Sequence, residues 1–424
     1  MINRSFILKY FPWGLLLITI NSHGQTLSLG STTFWWIIQS LVLALFYIIK
    51  NRYTSLTHQK ILTLLEWYIY YVFIQFTYGA YISENYWDWK LLIFNTMCLL
   101  IPMMAYASNS KALLKHLFTN YIFYTAPLFL LFQFFIGRDE YGFYLAPFSF
   151  FILFFPVLTF RWKVLIVVIA VYVIFADFGA RSNVIKFIVP FICISIYYFR
   201  KIFTVKIIGF IRFLLLLAPF IFFTLATSGL FNIFNPQGDK KKEIIDKKRN
   251  FKGELVEEDL TSDTRTFLYV EVLKTAKLYN SWIFGRSPAR GNISESFGDG
   301  DMSKRNERNG NEVGILNYFV WLGLLGVILI FLIFYQATNL AIFYSNNIFS
   351  KIVGIFIAFR WSYAWVEDVN NFSIQYVYLW IFIGFCYSEN FRKMTDNQMK
   401  YWILSIFHTH KYFKSVSKPI KSSV

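Results

Sequence analysis

Two arginines, Arg286 and Arg290, sit in a turn bracketed by glycine and proline, Phe284-Gly-Arg-Ser-Pro-Ala-Arg-Gly291. Further on, Asn306-Glu-Arg-Asn-Gly-Asn-Glu312 gathers Glu307, Arg308, Asn311 and Glu312 directly before an apolar run, with Asn317 just inside it. A guanidinium is permanently charged and donates through a planar fork, so it suits phosphate or diphosphate better than a lysine ammonium does. Carboxylates beside amides suit sugar hydroxyls, and one of them can take the proton of an attacking hydroxyl. Glu312, at the mouth of the apolar run, is the first candidate for that base and Glu307 the second. Upstream, Arg265 opens a stretch in which Phe267, Val270, Leu273 and Leu278 recur at helical spacing, with Asp263 and Thr264 placed to cap it. Arg181 lies in the short turn Ala176–Asn183, where a lipid phosphate would sit; a cation snorkelling to the interface gives the same pattern. Arg360 falls inside an apolar segment, with Glu367 and Asp368 as its expected partners.

The elements that must position these residues are membrane helices. The chain has 424 residues, 56% hydrophobic and 21% aromatic, with a mean hydropathy of +0.47. That is outside the range of soluble globular proteins. Apolar windows of roughly 20 residues, the length that crosses a bilayer core as a helix, recur along it. We count about twelve, nine before residue 228 and three after residue 313, and no alternating strands of barrel type. The expected fold is an all-α polytopic bundle (residues 1–228 and 313–388), one long external loop (229–312) and a basic tail (389–424). Within the loop, Asn235–Asn250 is a mixed charge run read as a solvated, mobile spacer. The first window follows Arg4 and Lys9 as a secretory signal would, but no small-x-small cleavage site follows, and it is read as an uncleaved first helix.

Lysine and arginine set the orientation. With the N-terminus in the cytoplasm, the inner segments carry Arg4, Lys9, Lys50, Arg52, Lys60, Lys111, Lys115, Arg161, Lys163, Arg200, Lys201, Lys206, Lys351 and seven tail residues, against Lys90, Arg138 and Arg181 outside. Both termini are therefore expected inside and the long loop outside. The same asymmetry accounts for the net charge of +17, since the long loop itself is nearly neutral. Nucleic acid is accordingly not an expected partner; membrane lipids are. In the tail, Tyr401–Phe407 either lies on the membrane or is solvated.

Cys98, Cys193 and Cys386 all fall in apolar windows, and none of the five histidines lies between His116 and His408. No cluster has metal-ligand spacing, and no Walker loop or GxSxG motif is present, so no metal or cofactor is expected.

Taken together, the aromatic-rich helices, Gly179-Ala-Arg-Ser182, Asp263-Thr-Arg265, Phe284-Gly-Arg286 and Asn311-Glu-Val-Gly-Ile-Leu-Asn317 leading into Gly323-Leu-Leu-Gly326 resemble the Wzy-like O-antigen and capsular polysaccharide polymerase family. This family belongs to the wider O-antigen ligase/polymerase superfamily, and the resemblance covers mainly residues 160–340. It implies a metal-independent, GT-C-like glycosyltransferase of the bacterial inner membrane, active on its outer face in making lipopolysaccharide or capsule. A growing glycan would move from undecaprenyl diphosphate to a sugar hydroxyl of an incoming lipid-linked repeat unit, with a flippase and a chain-length regulator as partners. Diphosphate binding would fall to Arg181, Arg265, Arg286 and Arg290, with Arg308, Asn311 and Arg360 close by. The chain departs from the family in one respect: some members place a glycine eleven positions after an outer-loop arginine, where this chain has Ile192 after Arg181 and Asp301 after Arg290. Ligases of the superfamily usually carry a loop histidine, which favours the polymerase. A lipid-linked oligosaccharide flippase, the competing class, would concentrate its charges at mid-membrane instead.

Overall fold

Prolines and capping side chains decide where the helices of this chain begin and break. The structure, a computed structural model, describes residues 13–15, 17, 32–53, 63–134, 136–177, 180–228, 245–249, 255–259, 265–294 and 306–407. It is almost wholly helical. The principal helices are α1 (Thr32–Tyr53), α2 (Thr63–Ile82), α3 (Tyr86–Leu99), α4 (Lys111–Asn120), α5 (Phe160–Ala176), α6 (Arg181–Cys193), α7 (Val205–Thr227), α8 (Thr266–Leu278), α9 (Gly314–Phe343), α10 (Ile348–Tyr363), α11 (Ile374–Tyr387) and α12 (Asp396–Phe407).

Several starts have a visible cause. Asn85 accepts from the amides of Trp87 and Asp88 at the head of α3, and Ser110 accepts from Leu113 N at the head of α4. Asn347 accepts from Ser350 N to begin α10 while its own amide donates to the Phe391 and Met394 carbonyls. One side chain thus caps a helix and pins a distant segment. The breaks follow prolines, which lack the amide a continuing helix needs. The window expected at Phe118–Ile136 is interrupted by a π-turn and by a short 3-10 turn holding Pro127. The window at Phe143–Phe160 becomes two short helices and a 3-10 stretch, with Pro147 and Pro156 among them.

Among the described residues three helices are long and apolar enough to cross a membrane: Tyr86–Asn109, Val205–Ala226 and Gly314–Phe343. The pair Arg138–Tyr144 and Ala146–Val157, bent by 53°, makes a fourth if taken as one span. At the centre runs α11, buried along its whole length and in close contact with the 3-10 segment Ile101–Asn109. A Cβ on Gly384 would come within 2.2 Å of the Ala105 carbonyl, so the contact needs glycine there. A helix apolar all round is a buried one. Around α11 packs a continuous aromatic cluster, with Phe118, Phe150 and Phe154 against Phe382, and Phe385 and Phe391 against Trp402. Arg212, on α7, donates to Thr338 Oγ1 at 2.8 Å and to the Tyr335 carbonyl at 2.9 Å, clamping α7 to α9. Outward, α2, α5 and α7 leave Trp67, Phe73, Val168, Phe175 and Phe213 exposed, the surface a bilayer covers.

The stretch between α7 and α9, expected as an external loop, is more structured than its composition suggests. Part of the charge run expected to be spacer is a strand, β1 (Ile245–Arg249), paired antiparallel with β2 (Leu255–Asp259), so that Ile245 faces Asp259 and Arg249 faces Leu255. The capping residues Asp263 and Thr264 lie outside the described residues. The expected helix is present as α8, but its buried face is not the anticipated one. Leu268, Glu271, Val272, Thr275 and Ala276 point inward, while Val270 and Leu278 are exposed. Two polar tethers account for the rotation: Glu271 accepts from Ser294 Oγ at 2.7 Å, and Thr275 Oγ1 accepts from Ile293 N at 3.0 Å.

Beyond α8 the chain wedges into α9. That helix is broken at Gly323, which has φ 65° and ψ −167°. The freed backbone is answered by the turn after α8: Leu324 N donates to the Trp282 carbonyl, Leu325 N to Ile283, and Arg286 N to the Val320 carbonyl at 2.7 Å. Gly285 (φ 76°) and Gly323 meet backbone to backbone, and a Cβ on either would lie within 2.5 Å of the other strand. A broken helix in apolar surroundings requires such substitutes for its lost hydrogen bonds. Gly323 thus permits close packing against a loop.

The tail segment is also settled: in α12, Trp402, Ile403, Ile406 and Phe407 are buried, and Trp402 Nε1 donates to the Lys111 carbonyl. It packs on the bundle rather than lying free.

Candidate functional site

The head of α9 is held by the segment that follows α10. Gly314 N donates to the Glu367 carbonyl at 2.9 Å, Ile315 N to Ala364, and Asn370 Nδ2 to the Gly314 carbonyl at 2.8 Å. These bonds satisfy amides that a helix N-terminus leaves open. They also bring residues 309–312, 317 and 367–371 to one place. There a cavity of about 710 Å³ opens, bounded on its other sides by α3, by the turn at Asp139–Glu140, by Ala180 and Ser182, and by Arg265 at the start of α8.

Its lining is distinctive in chemistry. Five carboxylates contribute, those of Asp139, Glu140, Glu312, Glu367 and Asp368, together with six asparagines, Asn95, Asn309, Asn311, Asn317, Asn370 and Asn371. Phe94, Phe143 and Trp321 add aromatic surface, and Arg265 is the single cation among these lining residues. The asparagines are organised: Asn317 Oδ1 accepts from Asn311 N at 2.7 Å, and Asn317 Nδ2 donates back to the Asn311 carbonyl at 2.9 Å. Asn311 Nδ2 in turn donates to Asn292 Oδ1. This closed network fixes the strand-to-helix corner and leaves the amide oxygens of Asn311 and Asn370 buried and without a hydrogen-bond partner among the described residues.

Beneath Glu367 lies Lys186, 1% exposed, its Nζ 2.5 Å from Glu367 Oε1 and 4.0 Å from the centre of the Phe143 ring. Arg360 was expected to pair with Glu367. It is instead 2% exposed, stacked near the Tyr363 ring, with Nε and Nη2 lacking hydrogen-bond partners among the described residues; the carboxylate goes to Lys186. Arg360 does not line the cavity. Arg265 sits within electrostatic reach of Tyr269, whose hydroxyl donates to the Trp365 carbonyl at 2.5 Å. Burial pushes that hydroxyl's pKa well up and the Arg265 charge pulls it partly back.

The remaining arginines are brought together less than their spacing suggests. Arg286 Nη2 lies 2.8 Å from Glu307 Oε1, its Nη1 donates to the Gly291 carbonyl, and the guanidinium stacks 3.8 Å from the Tyr279 ring. Glu307 is buried with it, its second oxygen accepting from Gly291 N. Arg290 donates to the Ile82 carbonyl at 2.9 Å and lies 3.5 Å from Asp88 and 3.7 Å from Glu84. Arg308 bonds the Gly310 carbonyl and lies 3.5 Å from Glu312. Arg181 is exposed at the start of α6, next to Ser182, which lines the cavity while Arg181 does not. Of the expected site residues, Arg265, Asn311 and Glu312 therefore share the cavity, and Arg181, Arg286, Arg290, Glu307, Arg308 and Arg360 stand outside its lining. The turn Phe284–Gly291 braces the fold because its guanidinium groups find carbonyls and carboxylates of the chain itself.

The sequence reading passed over Lys186, Asp139, Glu140 and the Asn370-Asn371 pair. A lysine in the middle of an apolar window was the available signal for the first.

No protein-family model, no curated protein and no solved structure matches this chain. What the site can do is therefore argued from its chemistry. A concave, aromatic-floored space rich in amides and carboxylates, with one guanidinium at its edge, is built to hold a polyhydroxylated molecule beside a single anionic group. Among the described residues no group of His, Cys, Asp and Glu is arranged to hold a metal.

Proposed function

We propose that this chain is a polysaccharide polymerase of the Wzy-like type, a GT-C-like bundle of about twelve spans in the bacterial inner membrane with the long loop on the outer face. It moves a growing glycan from undecaprenyl diphosphate to a hydroxyl of an incoming lipid-linked repeat unit, without a metal. The observation that carries this reading is the cavity that gathers Arg265, Glu312, Glu367 and the asparagine network against Trp321 and Phe143. The acceptor sugar occupies that cavity. Its hydroxyl oxygen attacks the anomeric carbon, the bond from that carbon to the diphosphate oxygen breaks, and the hydroxyl proton passes to a carboxylate. A single displacement of this kind inverts the anomeric centre.

Arg265 stabilises the charge that develops on the leaving diphosphate, a contribution of about 3 kcal/mol for one prepositioned group. The carboxylate acting as base contributes on the order of a hundredfold. Glu312, in the lining and with a side chain 57% exposed, is free to approach an incoming hydroxyl. Arg286, Arg290 and Glu307 serve this site through the loop they brace.

The test is the surface polysaccharide of a producing strain deprived of the chain. A polymerase defect leaves single capped repeat units, a ligase defect accumulates lipid-linked polymer, and a flippase defect shows neither outside. Complementation with Arg265→Ala or Glu312→Ala at normal expression is expected to leave the single-unit pattern. Long polymer from both variants would sink the site assignment.

A further inference from the structure

The end of α8 and the turn after it carry their apolar side chains on the outside. Leu278, Tyr279, Trp282, Ile283 and Phe284 are between 40% and 67% exposed, five large side chains within one short stretch. The backbone leaves them no way to tuck in. The Trp282 and Ile283 carbonyls accept from Leu324 N and Leu325 N, Arg286 N donates to the Val320 carbonyl, and Gly285 N donates to the Ser281 carbonyl. On the other flank the Tyr71 hydroxyl of α2 reaches the Phe284 and Leu322 carbonyls, at 3.2 and 2.8 Å. A rigid turn that shows this much apolar surface forfeits the free energy of burial unless something apolar covers it.

The helix it is bonded to says what covers it. Among the described residues α9 is one of three helices long and apolar enough to cross a membrane. After its break at Gly323, the part Leu324–Phe343 has twenty residues. That is about 30 Å, the thickness of a hydrocarbon core. The part before the break carries Asn317 and the polar bonds to the segment after α10. The turn, bonded to Leu324 and Leu325, is therefore level with one edge of that core. Irregular chain is excluded from the core itself and is placed at its edge, with its backbone groups bonded. The apolar surface is also continuous on both sides, through Leu324 and Ile328 on α9 and through Phe73 and Ile74 on α2.

We infer that Leu278–Phe284 is an interfacial membrane anchor, whose partner is the bilayer. Ile283 and Phe284 enter the acyl region of the leaflet at the head of α9, and Trp282 lies at headgroup level, where indole rings collect. Lys274 and Lys277, both exposed on α8, face the lipid phosphates. A stretch whose composition suits water is in this way pinned to the membrane, and the cavity at the head of α9 is held beside the lipid edge. The inference rests on a membrane location and not on the polymerase reading.

The native cysteines Cys98, Cys193 and Cys386 are buried, so a cysteine placed on the turn takes a thiol label selectively. Ile283→Cys and Phe284→Cys are each labelled with bimane in the full-length chain, one copy per phosphatidylethanolamine/phosphatidylglycerol nanodisc. Glu312→Cys, at a side chain 57% exposed beside the cavity, is the aqueous reference. A phospholipid with a nitroxide near the top of its acyl chain is expected to quench positions 283 and 284 at least about threefold more than position 312, and dissolved iodide about threefold less. Iodide quenching equal to that at 312 overturns the inference. So does protection from both quenchers, which puts protein over the turn. The unaltered chain supplies a second measurement: a phospholipid with an acyl-chain diazirine is expected to leave adducts within Leu278–Phe284 on illumination, and adducts on α9 alone overturn the inference. Lipid contact by a chain whose loss leaves polysaccharide unchanged upholds the anchor and sinks the polymerase reading.

Discussion

Around Arg286 the charges of the stretch between α8 and α9 answer one another. The guanidinium is taken up by Glu307, the Gly291 carbonyl and the Tyr279 ring, and both Glu307 oxygens are engaged. Around Asn311 and Glu367 the residue types are similar, yet buried oxygens stand without partners among the described residues, at the edge of an open cavity. In sequence the arginine turn is the more conspicuous of the two, because guanidinium groups beside glycines look like a presented anion site. The structure reverses the ranking. A polar cluster that closes on itself stabilises a loop, and one that leaves acceptors unmet is ready for a ligand.

The comparison can be broken at its closed side first. Arg286→Ala strands Glu307 in a buried position, and losing one partner of a buried pair costs about 3–5 kcal/mol. We expect a large fall in melting temperature and in the yield of folded chain in detergent, with partial recovery in the Arg286→Ala/Glu307→Ala double variant. A stable Arg286→Ala protein lacking only polymerisation would show that the turn binds substrate after all. On the open side, Arg265→Ala is expected to cost less stability than Arg286→Ala and to lower polymerisation about a hundredfold, the equivalent of ~3 kcal/mol. Equal losses of stability in the two variants would erase the distinction between the regions.

Asn317 joins both behaviours and sharpens the line between them. Its side chain closes the ring with Asn311 while facing the cavity, so Asn317→Ala leaves a buried Asn311 amide unmet, at about 2 kcal/mol. Thermal unfolding should show a loss between those of Arg286→Ala and Arg265→Ala, accompanied by weaker saccharide binding.

How much of this was legible beforehand depends on where each residue finds its partner. Apolar windows marked where helix would form and helical periodicity marked α8, because these features are set within a few residues of chain; the break in α9 at Gly323 was not anticipated. The buried face of α8 was misjudged because Glu271 and Thr275 turn inward to Ser294 and Ile293, partners that no local periodicity contains. Which charged residues meet at the cavity is likewise decided by distant partners. Arg286 and Arg290 were read as available because Glu307, Asp88 and the Ile82 carbonyl come to them only through the fold. Lys186 was absorbed into an apolar window, and Glu367 was assigned to Arg360, since sequence distance gives no means of choosing between two buried cations. Arg265, Asn311 and Glu312 do line one cavity near the helix mouth, where a short chain segment holds the last two.

The smallest effect is the most useful for the chemistry. Among the described residues Glu312 is paired with Arg308, at 3.5 Å and four residues apart, with its side chain 57% exposed. A surface pair of this kind contributes about 0.3–0.5 kcal/mol. Glu312→Gln should therefore shift the melting temperature barely, and any change in polymerisation can be assigned to the reaction itself. A hundredfold loss at constant stability makes Glu312 the proton acceptor. Full activity moves that role to another lining carboxylate, and Glu367 is the one already oriented, with Lys186 holding one oxygen and the other left for the sugar. Glu367→Gln also strands Lys186, so its stability loss, of the same kind as that in Arg286→Ala, has to be subtracted before its activity is read.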